Sequence, residues 1–180
     1  MNIHFETDTV LVRDFISTDA NGIFDLDTDP DVMKFLGGVT LNELSEAQSL
    51  VDDIIWQYQE FGMGRLAIIH KGTDEFVGWT GIKRERKLRD FVYYDMGYRL
   101  RKKFWGQGIA TDTARLSLNY GFNELNLKEI NAAADMLHFA SQKVLLKSGM
   151  QPHGTFYYLG EEHNWYSIDK KRWESLNFKT

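Results

Sequence analysis

The chain contains no cysteine. A disulfide framework, a cysteine zinc site and a cysteine nucleophile are therefore excluded. Proline is nearly absent as well: Pro30 and Pro152 are the only two, and no linker-like or low-complexity stretch interrupts the sequence. No apolar run approaches the roughly 20 residues needed to span a membrane. Met1–His4 lacks the basic-then-apolar order of a secretion signal. The five histidines, His4, His70, His138, His153 and His163, fall at no metal-ligand spacing, so no metal site is expected. The formal net charge of −5 makes a poor general binder of nucleic acid, although local basic patches can still exist. What is present is ordinary for a globular protein: 43% hydrophobic and 26% charged residues. The 180 residues fit one domain, 1–180, with enough length to bury a core unaided. The composition suits the cytoplasm.

Residues 9–15 alternate as a strand. Ser17 or Thr18 can cap a short helix running to about Asp27. Asp29-Pro30 opens another, ending at Gly37-Gly38. Thr40 and Glu43 form a capping-box pattern, followed by apolar residues at spacings of three and four from Leu44 to Tyr58. Arg65–His70 and Phe76–Ile82 read as strands, Lys83–Asp90 as a charged loop, and Phe91–Leu100 as a third strand of the meander. The basic run Lys83–Arg89 is read first as a solvated hairpin loop, with contact to RNA or an acidic protein as the alternative. Residues 109–125 are helical, Glu129–Ala134 is a strand, and a second helix from about Leu137 to Ser148 stops at Gly149. Gln151–Leu159 and His163–Asp169 close the chain as a hairpin turning at Gly160-Glu161-Glu162. The pattern predicts an α/β (α+β) fold with a mostly antiparallel sheet.

Lys103-Phe104-Trp105-Gly106-Gln107-Gly108-Ile109-Ala110-Thr111 lies between a strand and a helix. Free N–H groups and the helix dipole favour an anion there, and two glycines allow close backbone approach. Arg99, Arg101, Lys102 and Lys103 are expected to add positive charge. A P-loop is ruled out, because its spacing and its Gly-Lys-Ser/Thr ending are missing. A dinucleotide fingerprint matches Gly106 and Gly108 and could use Asp135 on the ribose, but Thr111 stands where Gly or Ala is wanted and the chain does not continue as alternating strands and helices. A capped tight turn with no ligand is the third reading.

The loop, as Lys103-x-x-Gly106-x-Gly108, resembles the acetyl-CoA signature of the GNAT superfamily of N-acetyltransferases, with Lys in place of the usual Gln or Arg. Phe104–Thr111 is similar to the RimJ/RimL branch in particular. So are Leu11-Val12-Arg13 with Asp19-Ala20, Asp29–Gly38, Val77–Ile82, Asp95–Leu100 and Leu145–Met150, in the same order along the chain. The resemblance implies a GNAT-like mixed sheet of six to seven strands, mostly antiparallel, flanked by helices and splayed at its central strands. It implies a cosubstrate site for acetyl-CoA built from Tyr98, Arg99 and Leu100 on the strand, and from Lys103, Trp105, Gly106, Gln107, Gly108, Ile109, Ala110 and Thr111 in the loop. His138 and Ser141 complete it on the second helix. His138 stands where the branch has Asn, replacing the amide that usually contacts pantetheine with an imidazole.

The implied reaction moves an acetyl group directly from acetyl-CoA to a primary amine, either a protein N-terminus or a small amine, without an acyl-enzyme. Asp95 occupies the strand's acidic position and is the first candidate for general base. An ordering role for it weighs equally. Ser141 is favoured as general acid, with Tyr157, Tyr158 and Tyr166 as alternative donors and Glu161 and Glu162 as alternative bases. An acyl-CoA-binding regulatory module that keeps the fold without efficient catalysis is the competing function. Self-association into a homodimer stays open. The tryptophans Trp56, Trp79, Trp165 and Trp173 read as packing residues.

Overall fold

The computed structural model describes residues 2–158 and 160–178. Its elements, in chain order, are β1 (Ile3–Glu6), β2 (Val10–Arg13), α1 (Ala20–Asp27), α2 (Pro30–Met33), α3 (Leu44–Phe61), β3 (Arg65–His70), β4 (Phe76–Glu85), β5 (Tyr93–Leu100), α4 (Ile109–Asn123), β6 (Glu129–Asp135), α5 (Phe139–Lys147), β7 (Gln151–Tyr158), β8 (Glu161–Asp169) and α6 (Lys170–Ser175). Short 3-10 turns at Ser17–Asp19 and Lys102–Phe104 precede α1 and follow β5. The strands form one mixed sheet in the order β1-β2-β3-β4-β5-β6-β8-β7. Every neighbouring pair is antiparallel except β5 with β6.

The sheet therefore has eight strands rather than six or seven. The additional one is β1, an edge strand paired with β2 alone. The polar helix α6 also carries no sequence periodicity. Asp169 caps it, accepting from the Arg172 N–H at 2.7 Å.

Alternation along the strands divides the core. Leu66 and Ile68 of β3 pack with Ile109 of α4, whereas Ala67 and Ile69 pack with Ile23 and Leu26 of α1 and Val51 of α3. Thus α1 and α3 cover one face of the sheet. The other is covered by α4, with Leu145 of α5 and Trp173 of α6 joining Leu118 and Phe122. The hairpin of β7 and β8 carries a register irregularity between Pro152 and Thr155. Among the described residues no helix is long and apolar enough to cross a membrane.

Several local expectations shift. The entry to α1 is not capped by Ser17 or Thr18. The Asp19 carboxylate accepts from the Ile16 N–H at 2.9 Å and pairs with Arg13. The box at the start of α3 lies one turn later than Thr40/Glu43: Glu46 accepts from the N–H groups of Asn42 and Glu43, at 2.6 and 3.0 Å. A carboxylate three residues further on outcompetes the threonine. Asp29 does cap α2, accepting from Asp31 N–H, but that helix ends at Met33. β4 runs on to Glu85 and β5 begins at Tyr93, so the connecting turn is shorter than Lys83–Asp90 suggested. At the last hairpin β8 already begins at Glu161, and Leu159 lies outside the described residues.

Candidate active site

The glycine loop is held from several sides. Phe104 and Ile109 are buried in the core beneath it. The Trp105 indole N–H donates to the Leu100 carbonyl at 2.8 Å, and the Gln107 amide donates to the Lys103 carbonyl at 3.0 Å. Gly106 and Gly108 have φ of 75° and 84°, the left-handed region that other residues enter only with strain. The Gly108 carbonyl accepts from Thr111 and Asp112. Among the described residues, no acceptor meets the N–H groups of Gly106, Gln107, Gly108, Ile109 or Ala110. A Cβ added at Gly106 would meet nothing within 4 Å, and at Gly108 only Asp112 Oδ2 at 3.7 Å. Unpaired donors, open space above them and the N-terminus of a 15-residue helix make a cradle that fits a pyrophosphate.

Gly108→Val is therefore expected to weaken coenzyme A binding at least tenfold, because its side chain fills that space. The left-handed backbone adds a penalty of about 1–2 kcal/mol in stability. Calorimetric titration with CoA and a thermal melt check this. An unchanged affinity would place the phosphates elsewhere.

The basic residues beside the loop are not free, contrary to expectation. Arg99 Nη1 lies 2.6 Å from Asp27 Oδ1, an ion contact whose angle falls short of a hydrogen bond. Arg101 pairs with Asp25 at 3.2 Å, Lys102 with Asp31, and Lys103 with Glu75. Four acids from α1, α2 and the β3–β4 turn thus neutralise the run. The attraction for an anion rests on backbone amides and the helix dipole. The exposed pairs of Lys102 and Lys103 are individually weak and can exchange onto a phosphate.

β5 and β6 share a single registered pair, Asp95 with Asn131. No further pair joins the two parallel strands, so the backbone of β5 from Asp95 toward the glycine loop has no ladder partner in β6. Tyr98 reaches from β5 to α5, its hydroxyl 2.9 Å from Ser141 Oγ and 3.1 Å from the Ser141 carbonyl. Burial pushes the Tyr98 phenol up to about 12, against the opposing pull of the Ser141 hydrogen bond, so it keeps its proton at neutral pH. At the start of α5, His138 stacks on Phe35 with centroids 4.3 Å apart and planes 15° apart. Burial lowers the His138 pKa, against the opposing pull of Asp135, and so favours the neutral imidazole. Gln142 donates to the carbonyls of Asp135 and Met136 at 3.0 and 2.8 Å, fixing α5 to the end of β6.

Asp95 alternates onto the other face of β5. Its carboxylate pairs with Arg65, which also donates to the Asp95 carbonyl at 2.7 Å and to the Gly81 carbonyl. Both side chains are largely buried, 9% exposed for Arg65 and 16% for Asp95. Gly97 leaves room for this guanidinium: a Cβ there would come 2.8 Å from Arg65 Nη2. Arg65 and Arg99 lie 5.0 and 5.2 Å from the Trp79 ring, so Trp79 holds two cations as well as packing.

The geometry thus brings Tyr98, His138 and Ser141 together and leaves Asp95 on the opposite face. Among the alternatives, Tyr157 is 75% exposed, while Tyr166 is buried with its hydroxyl 3.4 Å from Gln142 Oε1. Glu161 is exposed; Glu162 gives its carbonyl to the Met136 N–H at 2.9 Å. Arg65, Phe35 and the Tyr98 hydroxyl were not singled out in the sequence. The resemblance named Tyr98 for the cosubstrate site, but for the direction of its hydroxyl, as for Arg65, the parity of strand positions was the available signal.

The model of the acetyltransferase (GNAT) domain matches residues 9–151. The chain belongs to the GNAT acetyltransferase family. A relative from Bacillus subtilis (strain 168), named the uncharacterized N-acetyltransferase YoaA, is 28% identical over 177 residues, covering 93% of this chain and 97% of its own. The spermidine N-acetyltransferase of Vibrio cholerae, solved with CoA and spermine, superposes with a TM-score of 0.77 at 14% identity, covering 93% of this chain and 99% of that one. RimL, the ribosomal L7/L12 alpha-N-protein acetyltransferase, solved with coenzyme A, gives 0.76 at 17% identity, with 93% and 98% covered. This GNAT chain therefore shares its fold with enzymes of quite different acceptors.

Proposed function

We propose that the protein acetylates a primary amine from acetyl-CoA by direct attack, in the manner of the RimJ/RimL branch. The observation that carries this reading is the five-amide cradle at the end of β5, a strand that shares only one pair with β6. When bound, acetyl-CoA supplies the activated thioester. The loop amides hold its pyrophosphate, and the backbone of β5 beyond Asp95, free of β6, offers hydrogen-bonding groups to the pantetheine arm. Ser141 gives a proton to the leaving sulfur, with Tyr98 holding its hydroxyl in line. The incoming amine arrives protonated, since a lysine-type amine has a pKa of about 10.4 and an α-amine about 7.7–8.0. Asp95, on the other face of β5, takes that proton through an intervening water, by the oxygen that Arg65 does not hold.

The spermidine enzyme and RimL support a primary amine as the acceptor class. A second reading, an acyl-CoA-binding module with weak catalysis, draws on the engagement of Asp95 by Arg65 and of His138 by Phe35. CoA release against a panel of amines separates the two.

Acetyl-CoA is expected to raise the melting temperature, by mass action on the folded state, with about 2.7 kcal/mol gained at a hundredfold excess over Kd. NADH and ATP should do much less. An equal shift from NADH would favour the dinucleotide reading of Gly106 and Gly108.

A further inference from the structure

Residues 83–90 carry Lys83, Arg84, Arg86, Lys87 and Arg89 against Glu85 and Asp90, in a chain whose net charge is −5. Lys83 meets Glu85 at 2.6 Å. Among the described residues, Arg84, Arg86, Lys87 and Arg89 have no carboxylate within 4.0 Å. This is the reverse of the glycine loop, where each of four cations is paired.

The turn, with the end of β4 that carries Arg84 into it, is also not a free solvated coil. Arg89 lies 4.2 Å from the Trp165 ring and 5.1 Å from Phe156, Lys87 5.4 Å from Tyr158, and Arg84 5.1 Å from Phe61. Such stacking fixes the stems of the cations while their remaining N–H groups stay available. Trp165 in turn meets Tyr93 edge-on at 5.0 Å, two residues before Asp95.

The position of the turn gives this charge a use. It adjoins the N-terminal end of β5, whereas the amide cradle adjoins the C-terminal end. An eight-residue strand puts roughly 25 Å between them. With the cofactor entering from the cradle end, an acceptor attacking near Asp95 must extend toward the basic turn.

We propose that this turn is the docking surface for the acidic segment of a polypeptide whose terminal amine is acetylated. The inference rests on the acetyltransferase reading above. Arg84 rests on Phe61 of α3, whereas Arg86, Lys87 and Arg89 line one open cleft, with Arg89 against β8 and β7 and Lys87 against β7, so the charges form two groups. A chain with successive aspartates or glutamates can meet them together, where a single small anion cannot. Nucleic acid fits less well, because the aromatic faces that would stack bases are already covered by these cations.

The test compares peptides that share one N-terminal residue and continue with acidic, neutral or basic residues. The acidic series should have a KM at least tenfold below the neutral one, and the gap should shrink between 50 and 500 mM salt as screening shortens the reach of the charges. In the double variant Arg86→Glu with Lys87→Glu the two KM values should fall within about twofold. If that variant does not fold, Arg86→Gln with Lys87→Gln serves. Equal KM values in the parent overturn the proposal. Anisotropy of a labelled acidic peptide with a blocked N-terminus gives a readout independent of turnover. Salt-sensitive binding without acetylation of any amine would remove the enzymatic reading and leave the docking surface standing. Turnover of small amines without any binding of the acidic peptide would remove the docking surface alone. Binding of a single-stranded oligonucleotide in place of the acidic peptide would also overturn it.

Discussion

Arg65→Met should cost about 3–5 kcal/mol of folding stability and lower the melting temperature by roughly 6–20 °C. The substitution removes the partner of a largely buried carboxylate, together with donors to the carbonyls of Gly81 and Asp95. What remains is an Asp95 charge with no neighbour to compensate it. The double variant with Asp95→Asn tests that account, because removing the stranded charge should restore part of the loss. Additive losses in the two single variants would show that Arg65 acts through packing on Trp79 instead. The Asp95→Asn single variant also bears on mechanism. If Asp95 takes the amine proton, its turnover should recover in part as pH rises, since more of the acceptor is then neutral. A rate deficit that does not recover would mark Asp95 as a positioning residue.

Ser141→Ala should lower kcat by about 10²–10⁴-fold, the usual range for a group that moves a proton, while the KM for acetyl-CoA changes only a few-fold. Tyr98→Phe removes the hydroxyl at 2.9 Å that orients Ser141 and should lower kcat by a smaller factor in the same sense. The split between kcat and KM is the informative readout. A purely structural loss at the junction of β5 and α5 would instead weaken cofactor affinity and the melting temperature together. Full activity in Ser141→Ala would move the search for the donor to Tyr166, whose hydroxyl lies on the same face.

The features legible in the sequence are those whose causes are local. The Asp29 cap, the strand Arg65–His70 and the glycine turn into α4 all follow from residues within a few positions of one another. The electrostatics were not legible for the opposite reason. Arg99, Arg101, Lys102 and Lys103 read as a positive patch, yet their partners Asp27, Asp25, Asp31 and Glu75 stand 28 to 76 residues away and arrive only when the sheet assembles. Arg65 and Asp95, 30 residues apart, meet for the same reason. β1 escaped notice because the Ile3/Phe5 alternation of Ile3–Glu6 runs for only four residues, at an edge where Ile3 is 59% exposed.

The irregular hairpin at the end of the sheet has a consequence for how the protein behaves in a crowded solution. β7 is the outermost strand, hydrogen-bonded to β8 on one side only, and most of its side chains are exposed. An open strand of this kind is a template on which a second chain can continue the ladder, the first step toward aggregation. Pro152 removes one donor from that strand, and the break in register before Thr155 bends it away from a flat template. The irregularity thus acts as a terminator, ending the growth of the sheet at its eighth strand.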